Sequence, residues 1–100
     1  MYDLVTIKRA NPSTHPQKKM VAVFEDPDDP RRRKHVYFGS RGMSDYTLHK
    51  DASRKQLYLQ RHRARENWNN PYTAGSLSRW ILWNKPTLRA SIADYKRRFF

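Results

Sequence analysis

The sequence predicts an α+β fold in which a small three-stranded antiparallel sheet is followed by about three helices packed on one face. Three observations support this prediction. The first 40 residues alternate β-rich segments with proline-containing turns, residues after 50 are mostly good helix formers, and the connections are short. One hundred residues are enough for one domain, so we expect residues 1–100 to form a single basic domain.

The predicted strands span residues 2–9, 18–25 and 31–39, and they contain most of the β-branched and aromatic residues of this region. The turn at 11–16 contains two prolines, and the break at 26–30 combines two prolines with three acidic residues. Because strands joined by such short turns pair with each other, we expect an antiparallel meander.

The predicted helices span residues 52–67 and 74–83, and a last helix has Pro86 in its first turn. Asp51 and Thr73 are suited to accept hydrogen bonds from the first backbone N–H groups of the first two helices. Four apolar side chains of the last helix follow a 4-3-4 spacing, which predicts one buried stripe. They are Leu88, Ile92, Tyr95 and Phe99.

The charge is the strongest functional signal in the chain. The net charge is +12, and it is unevenly placed: residues 1–30 carry four basic and five acidic residues, whereas residues 31–100 carry 17 and four. A surface of this kind favours a polyanion as partner, most often nucleic acid. The absence of cysteine excludes disulfides and thiolate zinc sites. No apolar run approaches the roughly 20 residues of a membrane span, so we expect no membrane insertion.

The candidate phosphate contacts are the two basic clusters at 31–34 and 96–98, together with arginines spread along the helices and the turn before them. We expect the first cluster to be mobile and the C-terminal end of the domain to be flexible. Phosphate contacts of this kind are largely indifferent to base sequence. The predicted nucleic-acid-binding residues are Arg31, Arg32, Arg33, Lys34, Arg41, Arg54, Arg61, Arg65, Arg79, Arg89, Lys96, Arg97 and Arg98.

The turn between Gly39 and Gly42 has two interpretations. Glycines permit positive φ, so the backbone N–H groups of this turn could surround an anion beside Arg41. The simpler interpretation is a structural connection from the last strand to the helices, in which Ser44 or Asp45 caps a helical turn. We favour the structural connection.

We expect no catalytic residue, no metal site and no cofactor. The four histidines are too scattered to nominate three metal ligands. The segment VYFGSR at 36–41 superficially resembles the second half of the GIY-YIG nuclease signature, which implies roles for Tyr37, Arg54 and Glu66. The preceding strand, however, has Val-Ala-Val-Phe where that signature requires Gly-Ile-Tyr, so a nuclease is only an alternative.

Three longer stretches carry a further resemblance: HVYFGSRGMSDYTLHKD, RHRARENWNNPYTAG and SRWILWNKPTLRASIADYKRRF. Together they resemble an uncharacterised family of short basic proteins encoded by large, nucleocytoplasmic double-stranded DNA viruses of algae and protists. The resemblance implies a virion component, or a protein of the host nucleus or the cytoplasmic viral factory.

We therefore expect a non-enzymatic protein that packages or binds nucleic acid. The alternative is a minor structural (cement) protein of the capsid that binds acidic surfaces of capsid or core proteins. The sequence leaves open whether the polyanion is DNA, RNA or acidic protein.

Overall fold

The structure is a computed structural model that describes residues 1–100. The strands are β1 (Asp3–Arg9), β2 (Lys18–Asp26) and β3 (Asp29–Ser40), which form one antiparallel sheet in the order β1-β2-β3. The helices are α1 (Tyr46–His49), α2 (Ala52–His62), α3 (Ala74–Leu77) and α4 (Leu88–Phe99). A π-helical segment, Ser78–Leu82, continues α3. The predicted α+β class and its antiparallel meander are confirmed.

The alternation of side chains along β2 gives the sheet two different faces. Met20 and Phe24 belong to the face that packs on the helices, and Met20 pairs there with Phe38 of β3. On the opposite face the ring of Tyr37 stacks on His15, with ring centroids 3.6 Å apart. Only the first face contributes to the main hydrophobic core.

The core joins that face of the sheet to the π-helical segment and to α4. Phe24, Phe38, Ile81 and Tyr95 are each at most 1% exposed. Each such side chain stabilises the fold by about 1.5–3 kcal/mol through its burial. The Tyr95 hydroxyl donates a hydrogen bond of 2.7 Å to the carbonyl of Pro71, so its polar end is satisfied inside the core.

The predicted helix caps at Asp51 and Thr73 are confirmed. The Asp51 carboxylate accepts hydrogen bonds from the backbone N–H groups of Ser53 and Arg54, and Thr73 accepts one from Ser76. These contacts satisfy backbone donors that have no partner within the helix.

The end of α2 was predicted five residues too late. The helix ends at His62, and the backbone N–H of Arg65 bonds to the carbonyl of His62 in a tighter turn. The chain then turns so that the Trp68 carbonyl accepts a hydrogen bond of 2.8 Å from the indole N–H of Trp80. This long-range contact overrides the good helix formers at 63–66.

The start and the end of the last helix also differ from expectation. Thr87 caps α4, so Pro86 precedes the helix and is not in its first turn. The C-terminal end, expected to be flexible, completes α4, and the ring of Phe100 lies 5.8 Å from that of Tyr95. Aromatic packing therefore fixes the last residues against the core. None of the helices has both the length and the apolar character that a membrane span requires.

Candidate nucleic-acid interface

The basic cluster at the start of β3 lies against acidic residues of the β2–β3 hairpin. Arg31 forms an ion pair of 3.1 Å with Asp29, and Arg33 forms one of 3.4 Å with Glu25, its partner across the ladder. Arg32 lies 4.0 Å from a third hairpin carboxylate. The prediction of a mobile cluster was wrong, because strand pairing orders these residues and sets acids beside them.

Lys34 and Arg41 are both exposed, and both lie near other parts of the chain. Lys34 lies 6.0 Å from the centroids of two tyrosine rings at the helix side of the sheet. The Arg41 guanidinium donates hydrogen bonds to the backbone carbonyls of Lys18, at 2.7 Å, and Ala10, at 3.3 Å. Arg41 therefore ties the turn after β3 to the β1–β2 loop.

The Gly39–Gly42 turn has the geometry of a structural connection. Both glycines have positive φ, and a Cβ at Gly39 would stand 2.7 Å from the Leu82 side chain. The backbone N–H groups of Arg41 and Met43 already donate hydrogen bonds within the chain. These N–H groups are therefore not free to surround an anion.

Asp45 completes the connection from the sheet to the helices. Its side chain is 3% exposed, accepts a hydrogen bond of 2.9 Å from the backbone N–H of Thr47 to cap α1, and forms a 2.6 Å ion pair with Lys19 of β2. The short helix α1 is thereby fixed to the end of the sheet.

The sequence predicted that Arg79 is a surface cation that contacts phosphate, and this prediction was wrong. Arg79 is half-buried, with its guanidinium 4.3 Å from the centroid of Trp80 and 5.3 Å from that of Trp68. It also donates a hydrogen bond of 3.0 Å to the Trp83 carbonyl at the end of the π-helical segment. Burial lowers the pKa of Arg79, and the positive charge of Arg98 lowers it further. Arg79 is a packing residue and leaves the candidate set.

The C-terminal arginines share one buried carboxylate. Arg97 and Arg98 lie 3.0 and 3.4 Å from Asp94, and Arg98 also covers the Trp80 ring at 4.0 Å. A hydrogen bond from the Asn84 side chain holds the pKa of the Asp94 carboxyl below its ordinary value, and Arg97 and Arg98 add to that effect. Lys96, in contrast, is exposed and forms no ion pair.

The remaining predicted contacts are free, and three of them belong to α2 and the turn that follows it. Arg54, Arg61 and Arg65 are exposed and form no ion pair. Arg54 and Arg61 are seven residues apart on one helix, so they share a face about 10 Å apart. Arg89 on α4 is exposed and unpaired as well.

A cleft that the sequence did not predict lies beside these free arginines. It has a volume of about 410 Å³ and is bounded by the ends of β2 and β3, the C-terminal half of α2 and the π-helical segment. Arg61 and Lys18 belong to its lining. The only sequence signal is the i, i+4 spacing of Tyr58 and His62, which places both side chains on one face of α2, whereas Glu66 reaches the cleft from the turn that follows the helix.

Two contacts fix α2 against the opposite side of the cleft. The rings of Tyr58 and Trp83 are stacked with centroids 4.3 Å apart and planes 2° from parallel. The Lys55 ammonium donates a hydrogen bond of 2.6 Å to the Asn84 carbonyl, and burial lowers the pKa of Lys55. The position of Arg61 is thus set by a rigid element.

The residues suggested by the nuclease resemblance do not come together. Tyr37 lies on the sheet face opposite Phe38, whereas Glu66 lines the cleft on the side of Phe38. No three His, Asp or Glu side chains are grouped in a way that would hold a metal ion.

Comparison with known proteins places the chain in a family without assigning an activity. No curated protein and no solved structure matches it. Residues 8–62, which include strands β2 and β3, the glycine turn and helices α1 and α2, match a family described as "Family of unknown function (DUF5754)". Because this match covers more than half of the chain, the protein belongs to the DUF5754 family.

Proposed function

We propose that this protein is a non-enzymatic nucleic-acid-binding protein of a large double-stranded DNA virus. One observation carries the proposal: Arg54, Arg61 and Arg65 are exposed on one helix and the turn after it, with no acidic partner. The viral origin is supported by the sequence resemblance alone. The site of action would be the virion, or the host nucleus or viral factory.

Binding would proceed through phosphate contacts and the release of counterions, which makes it independent of base sequence. In the helical part, the predicted contacts that are exposed and unpaired are Arg54, Arg61, Arg65, Arg89 and Lys96. If all five contact phosphates, the slope of log affinity against log salt is about −4.5. The affinity for duplex DNA then falls roughly 500-fold between 50 and 200 mM salt.

An electrophoretic mobility shift assay with duplex DNA at several salt concentrations tests this proposal. Replacement of Arg54, Arg61 and Arg65 by Gln is expected to reduce the salt slope by about 2.7. The matched control replaces Arg31, Arg32 and Arg33 by Gln, which removes the same charge from the hairpin. Equal losses in the two triple variants, or a flat salt dependence of the wild type, would contradict the proposal.

The alternative proposal is a cement protein of the capsid that binds acidic protein surfaces. Three exposed apolar side chains near α1 and α2 favour it, because protein interfaces need apolar anchors as well as charge. They are Met43, Leu48 and Leu57, which are 67%, 65% and 55% exposed. Capture of a defined capsid protein that persists after nuclease treatment and is lost in Leu57→Ser would support this alternative.

A further inference from the structure

We propose that the cleft beside α2 binds a single nucleotide, either free or as an unpaired nucleotide of a strand. Its volume of about 410 Å³ is within the range of small-molecule sites. The inference deepens the proposed function, and it rests on that function where the nucleotide belongs to a strand. Three kinds of side chain that line the cleft support this site.

Two cations of the lining would bind the phosphate. Lys18 at the start of β2 and Arg61 on α2 approach the cleft from different elements, and neither forms an ion pair. Lys19, which also lines the cleft, is instead committed to Asp45. A phosphate between Lys18 and Arg61 would therefore gain two charge-assisted hydrogen bonds without breaking a contact in the protein.

Aromatic and apolar side chains of the lining would contact the base. Tyr58 and His62 line the α2 wall and Trp83 lines the opposite side, and the imidazole of His62 stacks on Tyr58 at a centroid distance of 4.3 Å. Met43 stands at the rim with 67% of its surface exposed. A base in the cleft would bury Met43 and contact the imidazole, and stacking of this kind is typical of single-strand recognition.

Glu66 provides for selection among bases. It is the only acidic residue of the lining and forms no hydrogen bond or ion pair within the chain. Its carboxylate lies against Gly75 at the start of α3, where any Cβ would overlap it. Burial raises the pKa of Tyr58 to about 12, and the nearby charge of Glu66 contributes to that rise.

A carboxylate in this position accepts hydrogen bonds and repels carbonyl oxygens. Cytosine offers an amino group where uracil offers a carbonyl, so Glu66 would favour cytosine. The phosphate would avoid Glu66 and lie toward Lys18. The cleft is therefore expected to discriminate between two nucleotides of nearly equal size and equal charge.

The test is an isothermal titration calorimetry experiment in which the full chain is titrated with cytidine or uridine 5′-monophosphate. We expect cytidine monophosphate to bind about tenfold more tightly than uridine monophosphate. Glu66→Gln should reduce that ratio to about 1, because a Gln amide can donate to the uracil carbonyl. Arg61→Gln should weaken both ligands about tenfold. The matched control is Arg63→Gln, which removes an exposed charge two residues away and outside the lining, and should change neither affinity more than about twofold.

Several results would overturn the inference: no binding at millimolar nucleotide, equal losses in Arg61→Gln and Arg63→Gln, or a cytidine-to-uridine ratio that Glu66→Gln leaves unchanged. Circular dichroism of each variant excludes loss of folding as the cause.

Mobility shifts with oligo-dC and oligo-dT strands separate this inference from the proposed function. A dC preference that disappears in Glu66→Gln supports a strand as the source. Nucleotide binding without any binding of strands or duplex supports a free nucleotide and contradicts the proposed function. Steep salt-dependent duplex binding without nucleotide binding overturns the cleft site and leaves the proposed function standing.

Discussion

The hairpin between β2 and β3 and the helix α2 both carry closely spaced arginines, yet their charges have different surroundings. In the hairpin, Arg31 and Arg33 lie within 3.4 Å of carboxylates. On α2, Arg54 and Arg61 face solvent without an acidic partner. The difference teaches that a count of cations does not locate a polyanion site, because strand register supplies acids to one region and none to the other.

The largest expected loss of stability comes from neither of these regions but from the buried ion pair of Lys19 and Asp45. Asp45→Asn should lower the free energy of unfolding by about 3 kcal/mol, because it leaves the Lys19 ammonium without its counterion. Urea denaturation measures this loss. Asp29→Asn, which breaks an exposed hairpin pair, should cost less than about 1 kcal/mol. Similar losses in the two variants would mean that burial does not separate these pairs.

Asp94 should link the stability of the helical region to pH. The pKa of its carboxyl is lowered below the ordinary value of 3.8, chiefly by the hydrogen bond from Asn84. The charged form therefore stabilises the fold above pH 4, and this stabilisation is lost as the pH falls through the lowered pKa. Asp94→Asn should cost about 1.5 kcal/mol at pH 7 and flatten the acid limb of the profile. Thermal unfolding from pH 2 to 7 measures both effects, and an unchanged acid limb would contradict this assignment.

In the glycine turn between the two regions, the variants Gly39→Ala and Gly42→Ala should differ by about 1 kcal/mol in their free energy of unfolding. Gly39→Ala and Gly42→Ala both place a side chain at positive φ, which costs about 1–2 kcal/mol. Gly39→Ala adds an overlap with Leu82, whereas a Cβ at Gly42 meets open space. Gly39→Ala should therefore be the less stable variant in urea denaturation. The opposite order would indicate that Gly42 has a role beyond the turn.

The smallest expected change in stability comes from a variant that tests whether ion pairs keep the hairpin arginines from contacting phosphate. Glu25→Gln frees Arg33 and should change the free energy of unfolding by less than about 1 kcal/mol. It should also steepen the salt slope of DNA binding by about 0.9. Asp28→Asn is the control, since Asp28 forms no ion pair and its loss changes the net charge equally. Equal slopes in the two variants would mean that the hairpin does not reach DNA.

Local chemistry made the fold predictable from the sequence. The strand boundaries follow from prolines and β-branched residues, and the caps at Asp51 and Thr73 depend on contacts within three residues. The exposed arginines of α2 were also predicted. The burial of Arg79 was not, because it depends on Trp68 and Trp80, which meet only after the chain turns back.

The cleft is a still clearer example of what the sequence does not reveal. Its walls come from β2, β3, α2 and the π-helical segment, and no local pattern predicts that Tyr58 stacks on Trp83. The acids beside the hairpin arginines were visible in the sequence, but only the register shows that Glu25 stands opposite Arg33.

The position of β3 at the margin of the sheet gives its four consecutive basic residues another consequence. A marginal strand presents unpaired backbone groups to which a second chain can add. Two copies aligned along residues 31–34 would set eight cations side by side, and carboxylates shared with β2 would offset only part of that repulsion. These four side chains would thus keep concentrated protein from stacking into extended β-aggregates.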